Sequence, residues 1–170
     1  FVWSEALRER SVLAVGGTLT TVREALKRGL ACNTAGGTHH AHPEAASGYC
    51  LLNDIGVAAH QALEDGVKRV LIVDLDVHQG DGTALIFADE PRVFTLSLHA
   101  ESNFPARKQQ SDLDVPLPRG MGDADYLAVL ERTLTEVLTR VRPQLVIFDA
   151  GVDPHAADRL GHLELSDSGL

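Results

Sequence analysis

The segment from Val70 to Thr83 constrains the fold of this chain most strongly. It begins with the apolar run VLIV, which is typical of a strand buried on both faces of a parallel sheet. Asp74, Asp76 and His78 follow at a spacing of two, so in an extended chain all three side chains point to the same side. Glycines come next and let the backbone approach a bound ion closely. The pattern predicts a buried strand that ends in a cluster of polar side chains.

Two carboxylates and an imidazole are costly to bury together unless something neutralises them. A divalent metal does so, and the carboxyl end of a strand is a common position for ligand-binding residues. A strand that merely ends in a polar loop explains one aspartate but not three polar residues in register. The segment therefore favours a metal site.

The rest of the chain alternates between helical and extended patterns. Predicted helices cover residues 18–28, 53–65, 83–88 and 125–141, and predicted strands cover 69–76, 92–98, a short segment around Val115, and 144–149. The apolar side of the last helix is predicted to comprise Leu127, Leu130, Leu134, Val137, Leu138 and Val141. This alternation predicts an α/β fold with a parallel sheet, and right-handed crossovers place the carboxyl ends of its strands at one rim.

Asp153 follows the last predicted strand and is expected at the same rim. On its own it could be the N-cap of a following element. Next to Asp76 and His78 it becomes a third metal ligand, and three protein ligands leave a position open for water or substrate.

The loop over residues 32–50 supplies further histidines. His39 and His40 suit acid–base chemistry, because an imidazole titrates near neutral pH and can take a proton from water at a metal. Asp74 and Asp81 are the candidate partners that would fix their tautomers. The alternative is an exposed polar loop without a catalytic role. His42, His60 and His162 are predicted to be ordinary surface or helix residues, and the pattern leaves the roles of His99 and His155 open.

Composition excludes several classes of function. The net charge of −9 argues against direct nucleic-acid binding, which needs a basic face. No apolar run approaches the ~18 residues of a membrane span, and the N-terminus resembles no signal peptide. Cys32 and Cys50 form neither a disulfide framework nor a Cys-x-x-Cys pair, which predicts a reducing cytoplasmic location. The length of 170 residues suits one domain, and the lack of an initiator Met suggests that the chain begins inside a longer one.

Four motifs in order resemble the zinc-dependent histone deacetylase family: GGTHH at 36–40, SGYCLLND at 47–54, VDLDVHQGDG at 73–82 and GVD at 151–153. The DVHQG variant and the SDLDVPLP segment at 111–118 look most like the class IV branch and its bacterial relatives. The resemblance implies the arginase/deacetylase fold, three α/β/α layers around a parallel sheet. Residues 1–170 are then one partial catalytic domain, incomplete at both ends.

The resemblance also assigns site residues. Asp76, His78 and Asp153 look like the ligands of Zn²⁺, or of Fe²⁺. His39 and His40 resemble the tandem catalytic histidines, with Asp74 and Asp81 as their respective partners. The residues expected to contact the acyl-lysine substrate are Gly48, Tyr49 (where the family usually has Phe) and Phe104. The residues expected around a structural K⁺ are Asp74, Asp76, His78, Ser97 and Leu98.

The expected function is zinc-dependent hydrolysis of acetyl-lysine or of a small acylated amine. A two-manganese hydrolase of the arginase type would need more bridging ligands than the chain offers. A binding module that holds metal and acyl-lysine without turnover is the second alternative. The family's catalytic tyrosine lies downstream of Leu170, so the chain is expected to be a fragment with an exposed apolar sheet edge and little activity alone.

Overall fold

The computed structural model describes residues 2–170, which form four helices and four strands. The helices are Glu5–Arg28 (α1), Asp54–Glu64 (α2), Asp81–Ile86 (α3) and Asp123–Val141 (α4). The strands are Val70–Asp74 (β1), Val93–Ala100 (β2), Leu113–Leu117 (β3) and Leu145–Asp149 (β4). No helix in this part of the chain is both long enough and apolar enough to cross a bilayer.

The strands form one parallel sheet in the order β3-β2-β1-β4. Asp74, the last residue of β1, lies opposite Ser97 of β2 and Asp149 of β4. The carboxyl ends of the strands therefore meet at one rim, and the predicted parallel α/β sheet is confirmed. At the outer strand β4, Val146 and Phe148 are 45% and 58% exposed.

The alternation of side chains along β1 divides the core into two layers. Val70 and Ile72 pack with the buried faces of α1 and α2, whereas Leu71 and Val73 pack with α4. Because β1 lies between two apolar layers, its run of apolar residues has no polar face. Helices thus cover both faces of the sheet, which gives the predicted three-layer architecture.

The first helix begins much earlier than the predicted start at Thr18. Ser4 is its N-cap and accepts a hydrogen bond from the backbone amide of Leu7 at 3.1 Å. The helix continues through Gly16 and Gly17, which precede the predicted start. The predicted stop is correct, because Gly29 takes a left-handed conformation with φ 90°.

The buried face of α4 differs from the predicted stripe. Leu127 and Leu138 are each 44% exposed, whereas Tyr126, Thr133 and Val137 are buried. At both ends of the helix the buried residue is the one before the predicted leucine, Tyr126 in place of Leu127 and Val137 in place of Leu138. The docking of the helix on the sheet decides which side is covered. Leu127 and Leu138 thus lie outside the buried face, whereas the other four residues of the predicted side pack against the core.

The first strand ends at Asp74, two residues before its predicted end. The backbone amide of Leu75 still donates to the carbonyl of Asp149 at 3.0 Å, and the chain then bends away from the sheet. Asp76 and His78 therefore lie on a loop above the sheet rim rather than on an extended strand. This bend carries them toward the loop that follows β4.

Candidate metal centre and substrate cleft

Asp76, His78 and Asp153 form a cluster in which one ligand atom of each lies within 4.8 Å of the others. Nδ1 of His78 is 3.0 Å from Oδ1 of Asp76 and 3.0 Å from Oδ2 of Asp153. The backbone amide of Val77 donates to the other Asp153 oxygen at 2.8 Å. A Cβ on Gly151 would lie 2.4 Å from Cα of Asp76, so this close approach of the two loops requires glycine.

The charges of this cluster suit a cation. Burial alone lowers the pKa of His78, but hydrogen bonds to Asp153 and Asp76 outweigh it and raise the pKa to about 9. Burial raises the pKa of Asp153. For Asp76 the effect of burial is overcome by the hydrogen bond from His78 and the charge of His39, which lower its pKa to about 2. A proton on His78 thus balances the carboxylates, and binding of a metal ion would release it.

His39 is buried beneath this cluster among carboxylates. Its Nδ1 is 2.6 Å from Oδ2 of Asp74 and 3.7 Å from Oδ2 of Asp149. Burial alone lowers the pKa of His39, but Asp74, Asp76 and Asp149 together raise it well above its ordinary value. Burial, with the nearby charge of Asp74, raises the pKa of Asp149 to about 8, and Oδ2 of Asp149 has no hydrogen-bond partner. No role was predicted for Asp149, although its position at the end of an apolar strand, β4, is a signal for a residue at the sheet rim.

His40 contacts a different carboxylate. Its Nδ1 is 2.7 Å from Oδ1 of Asp81, the first residue of α3. Burial lowers the pKa of His40; its hydrogen bond to Asp81 opposes this effect, and the charge of His39 adds to it. Nε2 of His42 is 2.7 Å from the second oxygen of Asp81. The interpretation of His42 as an ordinary surface residue was therefore wrong.

A cleft of about 690 Å³ opens above these histidines. Tyr49 and Phe104 both line it, and Phe104 meets His40 edge-to-face with ring centroids 4.8 Å apart. Tyr49 is 88% exposed, and Phe104 is 41% exposed. The carbonyl of Gly48, predicted to accept a hydrogen bond from the substrate amide, accepts one from the Cys50 thiol at 3.3 Å.

The residues of the predicted potassium site and His162 lie in different parts of this region. Ser97 and Leu98 of the predicted potassium site are buried on β2, and Oγ of Ser97 is 3.0 Å from Nδ1 of His99. His162, predicted to be an ordinary surface residue, lines the cleft, and its buried Nδ1 has no hydrogen-bond partner. That assignment was wrong as well, because the segment after Asp153 folds back over the cleft.

A parallel sheet with a two-Asp, one-His cluster at its rim, beside buried Asp-bonded histidines, is typical of a metal-dependent hydrolase. Comparison with known proteins narrows the class. The family model described as the histone deacetylase domain matches residues 1–170. The chain therefore belongs to the histone deacetylase family.

Individual relatives agree with this assignment. An uncharacterized protein of Picosynechococcus is 55% identical over 169 residues, which is 99% of this chain and 56% of the relative. Histone deacetylase clr6 of Schizosaccharomyces pombe is 36% identical over 179 residues, covering 97% of this chain and 44% of the relative.

Solved structures share the fold. The crystal structure of a histone deacetylase homologue from Aquifex aeolicus matches with a TM-score of 0.85 and 35% identity, over 94% of this chain and 46% of the other. A structure of a histone deacetylase homologue complexed with SAHA matches to the same extent. The chain thus spans about half the length of the relatives that it matches.

Proposed function

We propose that the whole protein is a zinc-dependent amidohydrolase that removes acetyl or other acyl groups from lysine side chains or from related acylated amines. The observation that carries the proposal is the position of His40. Its ring lies beside His78, with centroids 6.0 Å apart, and contacts Phe104, which lines the cleft. A candidate base, a metal cluster and an aromatic wall thus meet at one place.

The donor set fits zinc. Asp76, His78 and Asp153 supply two carboxylates and one imidazole, a ligand type that also accommodates Fe²⁺. When bound, the ion polarises the substrate carbonyl and makes a water molecule more acidic. A two-manganese centre of the arginase type is disfavoured, because the second potential cluster, made of His39, Asp74 and Asp149, shares no residue with the first and supplies no bridging ligand.

The tandem histidines are suited to opposite roles. Asp81 accepts the Nδ1 proton of His40, which leaves Nε2 as a base, and the lowered pKa keeps this imidazole neutral at pH 7. His40 can therefore accept the proton of the attacking water as general base. His39 has a raised pKa and is cationic at the same pH, so it can stabilise negative charge or help to protonate the leaving amine.

The cleft supports a long, narrow acyl-amine substrate. Tyr49 and Phe104 would contact its methylene chain from opposite sides, and the carbonyl of Gly48 would accept a hydrogen bond from its amide. We further propose a structural K⁺ held by oxygen atoms of five residues. These are Asp74, Asp76, His78, Ser97 and Leu98. The register that places Asp74 beside Ser97 supports this site.

The alternative is a module that holds metal and acyl-lysine without turning it over. The two tyrosines of the chain favour it, since Tyr126 lies on the buried face of α4, Tyr49 is 88% exposed, and neither stands where the family resemblance puts the catalytic tyrosine, downstream of Leu170. Membership of the class IV branch and a cytoplasmic location remain predictions, the second supported by the free thiols of Cys32 and Cys50.

The test is hydrolysis by the full-length protein loaded with zinc. The panel contains an acetyl-lysine peptide, longer acyl-lysine peptides and acetylated polyamines. We expect turnover of at least one member, and loss of turnover after chelation. Binding of an acetyl-lysine peptide without turnover of any compound would favour the binding module. If the protein neither binds the peptide nor turns over any compound, both functions are refuted.

A further inference from the structure

The carboxylate of Asp81 is shared between two imidazoles. Oδ1 lies 2.7 Å from Nδ1 of His40, and Oδ2 lies 2.7 Å from Nε2 of His42. The Asp81 side chain is only 4% exposed, so water has little access to either oxygen. His42 is the one side chain in the described part of the protein that forms a hydrogen bond with Oδ2 of Asp81.

The backbone around these residues is held rigidly. The side-chain amide of Asn53 donates to the carbonyls of His39 and Ala41, at 3.3 Å and 3.2 Å. The amide of Thr83 donates to the His39 carbonyl at 3.0 Å, and a Cβ on Gly82 would lie 2.3 Å from the carbonyl oxygen of Ala41. The first turn of α3 is therefore pressed against the histidine loop.

The side chains of His40 and His42 reach the two oxygens of the same carboxylate. His42 does not line the substrate cleft. It lies instead in a separate groove of about 670 Å³ on the protein surface, together with Val57, His60 and Glu64. It cannot touch a substrate bound in the cleft, and it acts on the reaction only through Asp81.

We propose that His42 is a positioning residue for the general base. The inference rests on the proposed function. By donating its Nε2 proton to Oδ2, His42 fixes the rotation of the Asp81 carboxylate, so that Oδ1 stays aimed at Nδ1 of His40. His40 is then held in the Nδ1–H tautomer, with Nε2 free to accept a proton in the cleft. Without His42, one oxygen of a buried carboxylate lacks a partner, and the carboxylate can turn away from His40.

The test compares His42→Phe, which keeps a ring but has no donor, with His42→Gln, whose amide nitrogen can still donate to Asp81. Both variants are made in the full-length protein. His60→Gln is the matched control, because His60 lies in the same groove and packs on Phe87 instead, with ring centroids 4.9 Å apart. The readouts are kcat and KM of the zinc-loaded protein, and ¹H–¹⁵N spectra of ¹⁵N-histidine-labelled protein.

We expect His42→Phe to lower kcat about tenfold with little change in KM, and to weaken the resonance of the His40 Nδ1 proton. His42→Gln should restore both, and His60→Gln should change neither. A His42→Phe protein with wild-type kcat and an unchanged His40 resonance would overturn the proposal. Equal losses in the Phe and Gln variants would overturn it too, because the loss would then not depend on a hydrogen-bond donor at position 42.

The wild-type spectrum is a test that needs no variant. The proposal requires that His42 is the Nε2–H tautomer and that the chemical shift of its Nε2 proton shows a hydrogen bond to a carboxylate. An Nδ1–H tautomer would overturn the proposal even if His42→Phe failed to fold. The spectra do not depend on turnover. A protein that hydrolyses no acylated amine would refute the proposed function, and the spectra would still decide the role of His42.

Discussion

Gly48 is the residue whose substitution tests the placement of His40 most sharply. Its backbone has φ 50°, in the left-handed region, and a Cβ at this position would lie 2.2 Å from Cδ2 of His40. For Gly48→Ala the backbone strain amounts to about 1–2 kcal/mol. The clash adds to this cost, because heavy atoms cannot remain so close. Either the loop or the His40 ring has to move.

The His40 ring has little freedom to move. It is hydrogen-bonded to Asp81 on one side and packed against Phe104 on another. We therefore expect Gly48→Ala to displace the imidazole from Asp81 and to lower kcat/KM by about 10²–10⁴, the usual contribution of a general base. The bound metal should remain, since none of its three ligands is touched.

Gly120→Ala is the control for backbone strain. Gly120 has φ 76°, and its nearest neighbour would be 3.6 Å from an added Cβ, so it carries the strain without the clash. Both variants are made in the full-length protein and compared by kcat/KM on an acetyl-lysine peptide, by metal content and by urea unfolding. If Gly48→Ala keeps its rate within about threefold while losing as much stability as Gly120→Ala, the proposed position and role of His40 are wrong.

Three further predictions follow from the site. Asp76→Ala removes one of three ligands, so the metal content measured by elemental analysis should fall from about one zinc or iron per chain to none. An unchanged metal content would exclude Asp76 as a ligand. His40→Ala should lose about 10²–10⁴ in kcat but keep its metal, whereas loss of metal would show that His40 is a ligand. The pKa of His40 lies below its ordinary value of 6.5, so the base should still be neutral at pH 6.5 and kcat/KM should fall only at lower pH; an acidic limb centred above pH 6.5 would contradict the general-base assignment.

Local sequence patterns predicted the elements that they determine directly. The apolar run at the start of β1 and the stop at Gly29 depend on neighbouring residues, and both appear in the structure. The start of α1 was missed, because paired glycines lower helix propensity while the cap at Ser4 and packing on α2 maintain the helix. Helix docking likewise decided which side of α4 is buried, and no local pattern carries that information.

Some contacts of the site could likewise be predicted from local sequence, whereas others depend on the tertiary fold. The metal cluster could be anticipated, because Asp76 and His78 lie close together in sequence and Asp153 follows a neighbouring strand. The contact of His42 with Asp81 joins residues 39 positions apart through a loop of irregular shape. The spacing of two between His40 and His42 was its only local signal. The role of Asp149 depends on strand register, which sets it beside Asp74.

The register of the sheet also explains why the pKa values of two adjacent histidines are shifted in opposite directions. Asp74 and Asp149 end neighbouring strands and direct their carboxylates at His39, whose charge they stabilise despite its burial. His40, one residue further along the loop, faces the single carboxylate of Asp81, and that carboxylate also accepts a hydrogen bond from His42. Burial then dominates at His40 and lowers its pKa, whereas the surrounding charge dominates at His39 and raises it. The proposed acid and base can thus come from the same dipeptide, because a strand pair supplies the carboxylates for one imidazole and a helix start supplies the carboxylate for the other.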